Sequence, residues 1–500
     1  MGGFPLENGI MTEIHPDVER FLASGPLTAV VGGRRIPKGT AEVGVSINPA
    51  SGEPLTTFAL GGEKEIDEAA AAATGAFETW GRLSGQRRCD AIRTLAAAID
   101  DRAEVLARLE SLDCGKLFRD AESDVHSAAD TFRFFASIAT LEEVSRPIAA
   151  PAPYRVEIRR FAWGTCGFIT PWNFPLLLAC WGIAPAIAAG NTIVLKPAEQ
   201  APLSAISLAN LAAEVGFPDG VINVVPGLGE VAGAALARHP GVMRMAFTGS
   251  PEVGRRIAAA CAKNLTPVKL ELGGKGAAVV LDDVQVEKVA RRLADWLVFN
   301  AGQVCCTPSR WVVHRKILGA FVETAAERLG EVRIGCPGDP ETEMGPLVSD
   351  SQRERVLGFI QRGIEEGAEA VLLGKRVRPE GREHGFFLTP TLLSGPPDNI
   401  AAQREIFGPV GYILPFETEE EAIEIVNGTP YGLANSVWSE DPRRAANLAS
   451  RLVSGVNWIN RHNELPLGIP YAGVKQSGLG GGVNAVQTYW DYRRETVLVQ

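Results

Sequence analysis

The spacing of apolar residues changes period several times along this chain, and each change marks a change of element. From Glu63 the residues Ile66, Ala69, Ala70, Ala73 and Phe77 share one face at helical spacing, and amphipathic helices are predicted over 90–109 and 120–139. Before them, the first twenty or so residues read as a loose leader, and 29–35 and 43–54 as short strands with a turn. Segment 147–160 carries Pro147, Pro151 and Pro153 ahead of the alternating run Tyr154 to Arg159. It reads as an extended arm ending in an exposed strand, and an isolated strand needs a partner.

After the arm the pattern becomes strand, loop, helix. Strands are predicted at 165–170, 192–196, 221–225 and 243–247, alternating with helices at 176–189, 204–215, 230–238 and from Pro251 onward. This alternation predicts an α/β fold with a parallel, doubly wound sheet, whose ligands bind at the carboxyl ends of the strands. A second alternation follows from Arg310, with a helix at 418–426 and strands at 431–438 and 455–460. The last apolar run, within 489–500, is expected to be a strand exposed to another subunit.

Between the two alternations lies a helix predicted over 283–300, with Val286, Val289, Leu293, Trp296 and Leu297 on its apolar face. Asp282 and Asp283 stand where they would cap its start, and Gly302 breaks it. Cys305 and Cys306 follow the break. A free cysteine is ordinarily a small buried hydrophobe. Here its neighbours are Asn300, Gly302, Gln303, Thr307 and Ser309, polar or small residues that make poor core, so the turn suits an aimed nucleophile.

Three strand ends carry further chemistry. Lys196 and Glu199 place a cation and an anion just after a strand, either as a solvated ion pair or as a ribose-binding pair. In the second role Glu199 accepts from ribose hydroxyls and repels a 2′-phosphate, which favours NAD over NADP. The turn Pro226 to Gly229 lets backbone approach a ligand, and Ser250 sits at a helix start whose free N–H groups favour phosphate. Glu271 ends an apolar strand ahead of two glycines, a setting that raises a carboxyl pKa toward that of a general base, though a structural role fits the same residues.

Composition narrows the field. Five hundred residues exceed one core, so two or three domains are expected, and 46% hydrophobic with 22% charged residues is ordinary globular usage. A net charge of -10 argues against nucleic-acid or anionic-membrane partners. The eight cysteines are scattered without a C-x-x-C pair and the six histidines are isolated, so neither a disulfide framework nor a metal site is expected. The N-terminus lacks the pattern of a secretory signal and the longest apolar stretch, 176–189, is too short for a membrane span. A cytoplasmic enzyme is the expectation.

Taken together, several motifs in order resemble those of the aldehyde dehydrogenase superfamily, from about residue 25 to the C-terminus. They are Pro171-Trp-Asn-Phe-Pro175, Lys196-Pro-Ala-Glu-Gln200, Phe247-Thr-Gly-Ser250, Leu270-Glu-Leu-Gly-Gly-Lys275, Phe299-Asn-Ala-Gly-Gln-Val-Cys305, Glu405-Ile-Phe-Gly-Pro409 and Lys475-Gln-Ser-Gly478. The resemblance implies a Rossmann-like NAD-binding domain (22–141 and 163–273), an α/β catalytic domain (274–479), and a β-strand oligomerisation arm with C-terminal tail (142–162 and 480–500). It implies Cys305 as nucleophile, Glu271 as general base and Asn173 as oxyanion donor. Thr170, Trp172, Lys196, Glu199, Gly229, Phe247, Ser250, Glu405 and Phe407 would hold the cofactor NAD. Phe174, Leu178, Trp181, Cys306, Glu464 and Tyr471 would wall the substrate. The implied partners are a small-molecule aldehyde and a second copy of the chain, as homodimer or homotetramer. A glutamate at 271 favours hydrolysis of the thioester over transfer to coenzyme A.

Some positions depart from the pattern: Gly276 and Ala277 follow the Lys275 motif, Gly182 follows Trp181, and Gly480 to Gly482 replace the usual Gly-Arg-Glu. Glu464 lies in a loop like that of betaine aldehyde and aminoaldehyde dehydrogenases, which points to a polar or amino aldehyde, whereas neighbouring Arg461 and His462 would oppose a cation, and a solvated charge cluster is the favoured account of this loop. Cys306 is placed to close a vicinal disulfide with Cys305 under oxidation. The rival readings are a nucleotide-independent cysteine esterase or thioester hydrolase, and a non-catalytic structural protein on the same scaffold.

Overall fold

The computed structural model describes residues 15–39, 41–141 and 145–500. Residues 1–14 of the expected leader and 142–144 of the expected arm lie outside the described residues. A helix, Pro16–Ala23, follows at once, with Val18 and Leu22 buried, so the leader ends sooner than its composition suggests.

Among the described residues the first large sheet has eight strands. Its five inner strands are parallel, in the order Val268–Leu272, Arg244–Gly249, Thr165–Ile169, Thr192–Lys196 and Ile222–Val224. Gly478–Leu479 closes one edge antiparallel, and the hairpin Val30–Val31 and Arg34–Arg35 closes the other. Thr165–Ile169 and Thr192–Lys196 are buried at every position, as expected of parallel strands covered on both faces. The second sheet orders Glu369–Leu372, Thr391–Ser394, Val410–Phe416, Arg310–His314, Ala277–Val280, Ala434–Trp438 and Val456–Ile459, all parallel except the first. Each sheet carries its own apolar core.

The arm finds its partner within the chain. Ser145–Ile148 and Val156–Ala162 pair antiparallel, and the C-terminal strand Arg493–Val499 adds to the other side of Val156–Ala162. Ile148, Phe161, Val497 and Val499 remain exposed on this small sheet.

Helix boundaries moved where side chains had other work. The helix expected over 90–109 is two, Gly85–Asp101 and Ala103–Cys114, the first capped by Ser84 accepting from the Arg87 N–H. Residues 230–238 open as a wide turn, Gly229–Gly233, before the helix Ala234–Arg238. The helix expected from 283 begins at Val286, because Asp282 is held by Lys316 and Arg444 and Asp283 accepts from Ser439 Oγ. It ends at Val298, before Gly302, since Asn300 and Ala301 already take left-handed φ of 49° and 54°. Among the described residues no helix is long and apolar enough to cross a membrane.

Candidate active site

Three chain segments converge where the two large sheets meet. Residues 170–174 leave the carboxyl end of Thr165–Ile169 and carry Asn173 toward the second sheet. Glu271 is the penultimate residue of Val268–Leu272, opposite Thr248 and Gly478, and the chain crosses from there into Ala277–Val280. Cys305 lies on the turn between the helix Val286–Val298 and the strand Arg310–His314. That turn presses close: a Cβ at Gly274 would meet the Cys305 carbonyl at 2.5 Å, and one at Gly302 (φ 71°) would meet the Gly408 carbonyl at 2.2 Å. Both positions therefore demand glycine.

Asn173, Glu271 and Cys305 line one cavity of about 660 Å³. Polar bonds fix the nucleophile turn against the Asn173 loop. Asn173 Nδ2 donates to the Gln303 carbonyl (2.9 Å), Asn300 Nδ2 donates to the Asn173 carbonyl (3.1 Å), and Gln303 Nε2 donates to the Asn300 carbonyl (3.0 Å). The Val348 N–H donates to Gln303 Oε1 (2.9 Å), so the buried Gln303 ties the turn to a further segment. The Asn173 amide has two N–H bonds, and one of them is spent on this frame.

Neutral donors surround the nucleophile. Cys305 Sγ lies 3.2 Å from the Tyr471 hydroxyl, and Cys306 Sγ turns away to donate to Asn463 Oδ1 at 3.0 Å. The adjacent Cys306 thiol and then the Tyr471 hydroxyl favour the Cys305 thiolate and hold it below the ordinary thiol range, while burial opposes them. Glu271 is buried with neither oxygen hydrogen-bonded. Burial pushes its carboxyl well up, Lys269 opposes that, and the Cys305 thiolate adds to it. Lys269 shares a face of the strand with Glu271 and is itself buried, donating to Asp491 Oδ2 and the Gly482 carbonyl, each at 2.6 Å.

At one end the cavity is lined by Trp172, Ser250, Glu405 and Phe407. Ser250 caps the helix Pro251–Ala262 by accepting from the Val253 N–H, and the Trp172 and Phe407 rings meet edge to face at 5.3 Å. Glu405 Oε1 accepts from the Gly274 N–H (2.8 Å), and burial raises its carboxyl to about 7. Burial lowers neighbouring Lys275, whose ammonium lacks a hydrogen-bond partner, to about 7. Lys196 Nζ donates to Glu199 Oε2 at 2.8 Å beside the turn Gly229–Gly233, outside the walls of the main cavity. The Thr170 hydroxyl is buried without a partner at the same strand ends. Gly229 is exposed on its turn. Phe247 packs with Met245, Ile257 and Leu270, its ring against Gly249 of the cavity wall, while Thr248 lines the cavity itself.

The rest of the cavity lining is largely aromatic and aliphatic: Phe174, Leu178, Trp181, Cys306 and Tyr471 are joined by Trp296, Phe299 and Leu465, and by the polar Asp124, Ser127, Asp130, Thr131, Asn463 and Asn484. Glu464 does not line it: its carboxylate pairs with Arg461 (3.2 Å) and Arg292 (3.7 Å) at the surface. Nor does His462 oppose a cation. It is fully buried between Ser436 Oγ and the Cys306 carbonyl, and burial lowers its pKa to about 4, so the ring is neutral. Three features are not marked by the sequence motifs: Gln303 as a brace, Trp296 as a cavity wall, and Lys269 with Asp491. For Lys269 a signal existed, since residues two apart on a strand share a face.

The "Aldehyde dehydrogenase family" model matches residues 37–495. DhaS of Bacillus subtilis (strain 168), which carries an aldehyde dehydrogenase name, is 39% identical over 477 residues, 95% of each chain. Among solved structures, PnpE of Pseudomonas sp. WBC-3, in complex with nicotinamide adenine dinucleotide, is 38% identical with a TM-score of 0.92 and covers 95% of this chain and 97% of its own. Betaine aldehyde dehydrogenase (betB) of Staphylococcus aureus, in complex with NAD+, is 33% identical with a TM-score of 0.94 over 97% of each chain.

Proposed function

The chain belongs to the aldehyde dehydrogenase family and is an enzyme of that type, and from this premise we propose that it oxidises an aldehyde to the carboxylic acid with NAD, through a thioester on Cys305 that water activated by Glu271 hydrolyses. The observation that carries this mechanism is the shared cavity: a thiol held toward its thiolate, a buried carboxylate with no partner, and an amide with an N–H to spare.

The residues present fit NAD. Glu199, beside Lys196, offers a carboxylate to ribose hydroxyls; the helix start at Ser250 offers N–H groups to a phosphate; the Thr170 hydroxyl is buried and unspent; Glu405 and Phe407 line the cavity toward Cys305. PnpE and the betaine aldehyde dehydrogenase, with the nucleotide bound, support the same assignment. Residues 22–141 and 163–273 form the NAD-binding domain, 274–479 the catalytic domain, and 142–162 with 480–500 the oligomerisation arm of a homodimer or homotetramer. A reactive thiol and eight free cysteines suit the reducing cytoplasm.

Cys305 adds as thiolate to the aldehyde carbonyl. The developing alkoxide is held by the second N–H of Asn173 and the backbone N–H of Cys305, about 3 kcal/mol for one such donor. When bound, NAD supplies the acceptor for the aldehyde hydrogen and its electron pair, after which the acyl group remains on Cys305 as a thioester. The nearby negative charge is then gone. Glu271, no longer facing a thiolate, ionises more readily and takes a proton from the water that attacks the thioester. Acid leaves, and the thiolate returns.

With Glu464 at the surface, the case for a polar or amino aldehyde loses its main residue. Walls of Phe174, Leu178, Trp181, Trp296 and Phe299 suit an aldehyde with an apolar or aromatic body, since the two carboxylates in the same lining, Asp124 and Asp130, are already paired with Lys116 and Arg133. Nucleotide reduction measured over a panel of aliphatic, aromatic and amino aldehydes, each with NAD and NADP, tests the whole function. Turnover should require NAD and favour the apolar aldehydes; ester hydrolysis without any nucleotide-dependent oxidation would replace this function by the esterase alternative.

A further inference from the structure

Thiol enzymes that work near neutrality usually hold the thiolate with a cation or a helix N-terminus. Neither serves Cys305 here. The titratable groups that face it are Cys306 on the same turn, Tyr471 from the C-terminal segment, Glu271 from the first sheet and Glu405 from beyond Gly274; both carboxylates oppose a thiolate. Two side chains favour the thiolate: the adjacent Cys306 thiol, and from outside the turn the Tyr471 hydroxyl, 3.2 Å from the sulfur.

Tyr471 is built to stay there. Its backbone exchanges both hydrogen bonds with Val483, the Tyr471 N–H donating to the Val483 carbonyl (3.1 Å) and the Val483 N–H to the Tyr471 carbonyl (2.8 Å). Its ring meets Trp181 edge to face at 6.1 Å and is almost wholly buried. Such burial, beside thiolate and carboxylate, keeps the phenol protonated, so toward a thiolate it can only donate. Cys306 donates to Asn463 Oδ1 at 3.0 Å and so divides its thiol between that oxygen and the neighbouring sulfur, whereas the Tyr471 O–H has Cys305 Sγ as its partner.

We propose that Tyr471 is a catalytic residue, not merely a substrate wall: its O–H donates to Cys305 Sγ, sets the fraction of nucleophile present as thiolate, and holds the sulfur in a resting position until it turns to the carbonyl. A buried hydrogen bond to an anion is worth more than one between neutral groups. Its removal should shift the thiol titration upward by about one pH unit, a tenfold loss of thiolate below the midpoint.

The test is the pH dependence of alkylation by iodoacetamide in the free enzyme, with no aldehyde or nucleotide present, comparing wild type with Tyr471→Phe and locating the label by peptide mass. Tyr471→Phe should move the profile at Cys305 upward by about one unit and leave the high-pH rate unchanged. Superimposable profiles, or a lower plateau without a shift, would overturn the proposal, the second because it is the mark of a wall residue. Where Tyr471→Phe misfolds by circular dichroism, the wild-type sequence carrying 3-fluorotyrosine at position 471 keeps the test open: its more acidic phenol donates more strongly, so the profile at Cys305 should move downward, and an unmoved profile would overturn the proposal. The readout uses no substrate, so it stands apart from the fate of the NAD-dependent reaction proposed above.

Discussion

Replacing Glu271 by Gln removes an ionisable group and no hydrogen bond, since neither carboxyl oxygen is bonded in the resting site. The frame that positions Cys305 runs through Asn173, Asn300 and Gln303 and leaves Glu271 out, so the thiol should still attack. Only the later step, activation of water against the thioester, loses its base. General bases of this kind contribute about 10²–10⁴-fold, or roughly 3–5 kcal/mol of barrier. Glu271→Gln should therefore show a full first-turnover burst of reduced nucleotide in stopped flow, followed by a steady rate lower by about that factor. Stability should move the other way. Burial holds the folded carboxyl above the ordinary value of 4.5, so between these two pKa values the folded state binds the extra proton and wild-type stability declines as pH rises. The gain in Tm from Glu271→Gln should be small in acid and grow as pH rises through the folded pKa. A steady rate within a few-fold of wild type, or a lost burst in a well-folded variant, would refute the assignment of Glu271 to deacylation.

Asn173→Ala should slow the burst itself by about 10²–10³-fold, the cost of one oxyanion donor, measured in single turnover. Glu199→Gln should raise the NADP-to-NAD ratio of kcat/KM by about tenfold, the size of one partly solvated like-charge contact removed, read from steady-state rates with each nucleotide. Lys269→Met removes the cation that favours ionised Glu271, so the acid limb of the kcat profile should move to higher pH; Asp491 keeps some solvent, so the loss of stability by denaturant titration should be modest, about 1–3 kcal/mol.

The strand, loop and helix order of the first large sheet was legible because its strands are short apolar runs punctuated by glycine and proline, and parallel strands buried on both faces read that way. Local rules erred where a distant partner claimed the side chain. Asp282 and Asp283 look like helix caps until Arg444, some 160 positions later, and Ser439 are brought beside them. His462 looked like a charge in a polar loop, and its burial came from a segment no local pattern connects to it. The convergence of residues 173, 271 and 305 was readable only through motif resemblance; the shared cavity supplies the physical reason. The departure at Gly482 has one too: a Cβ there would meet the Tyr471 carbonyl at 2.6 Å, and its own carbonyl receives Lys269.

The most direct measurement of the central claim is acid quench of the enzyme during turnover of an aldehyde, followed by peptide mapping for acyl groups. The thioester should appear on Cys305 only when NAD is supplied, and should persist longer in Glu271→Gln than in wild type. An acyl group on Cys306, or none on Cys305 in that variant while reduced nucleotide accumulates, would contradict the account.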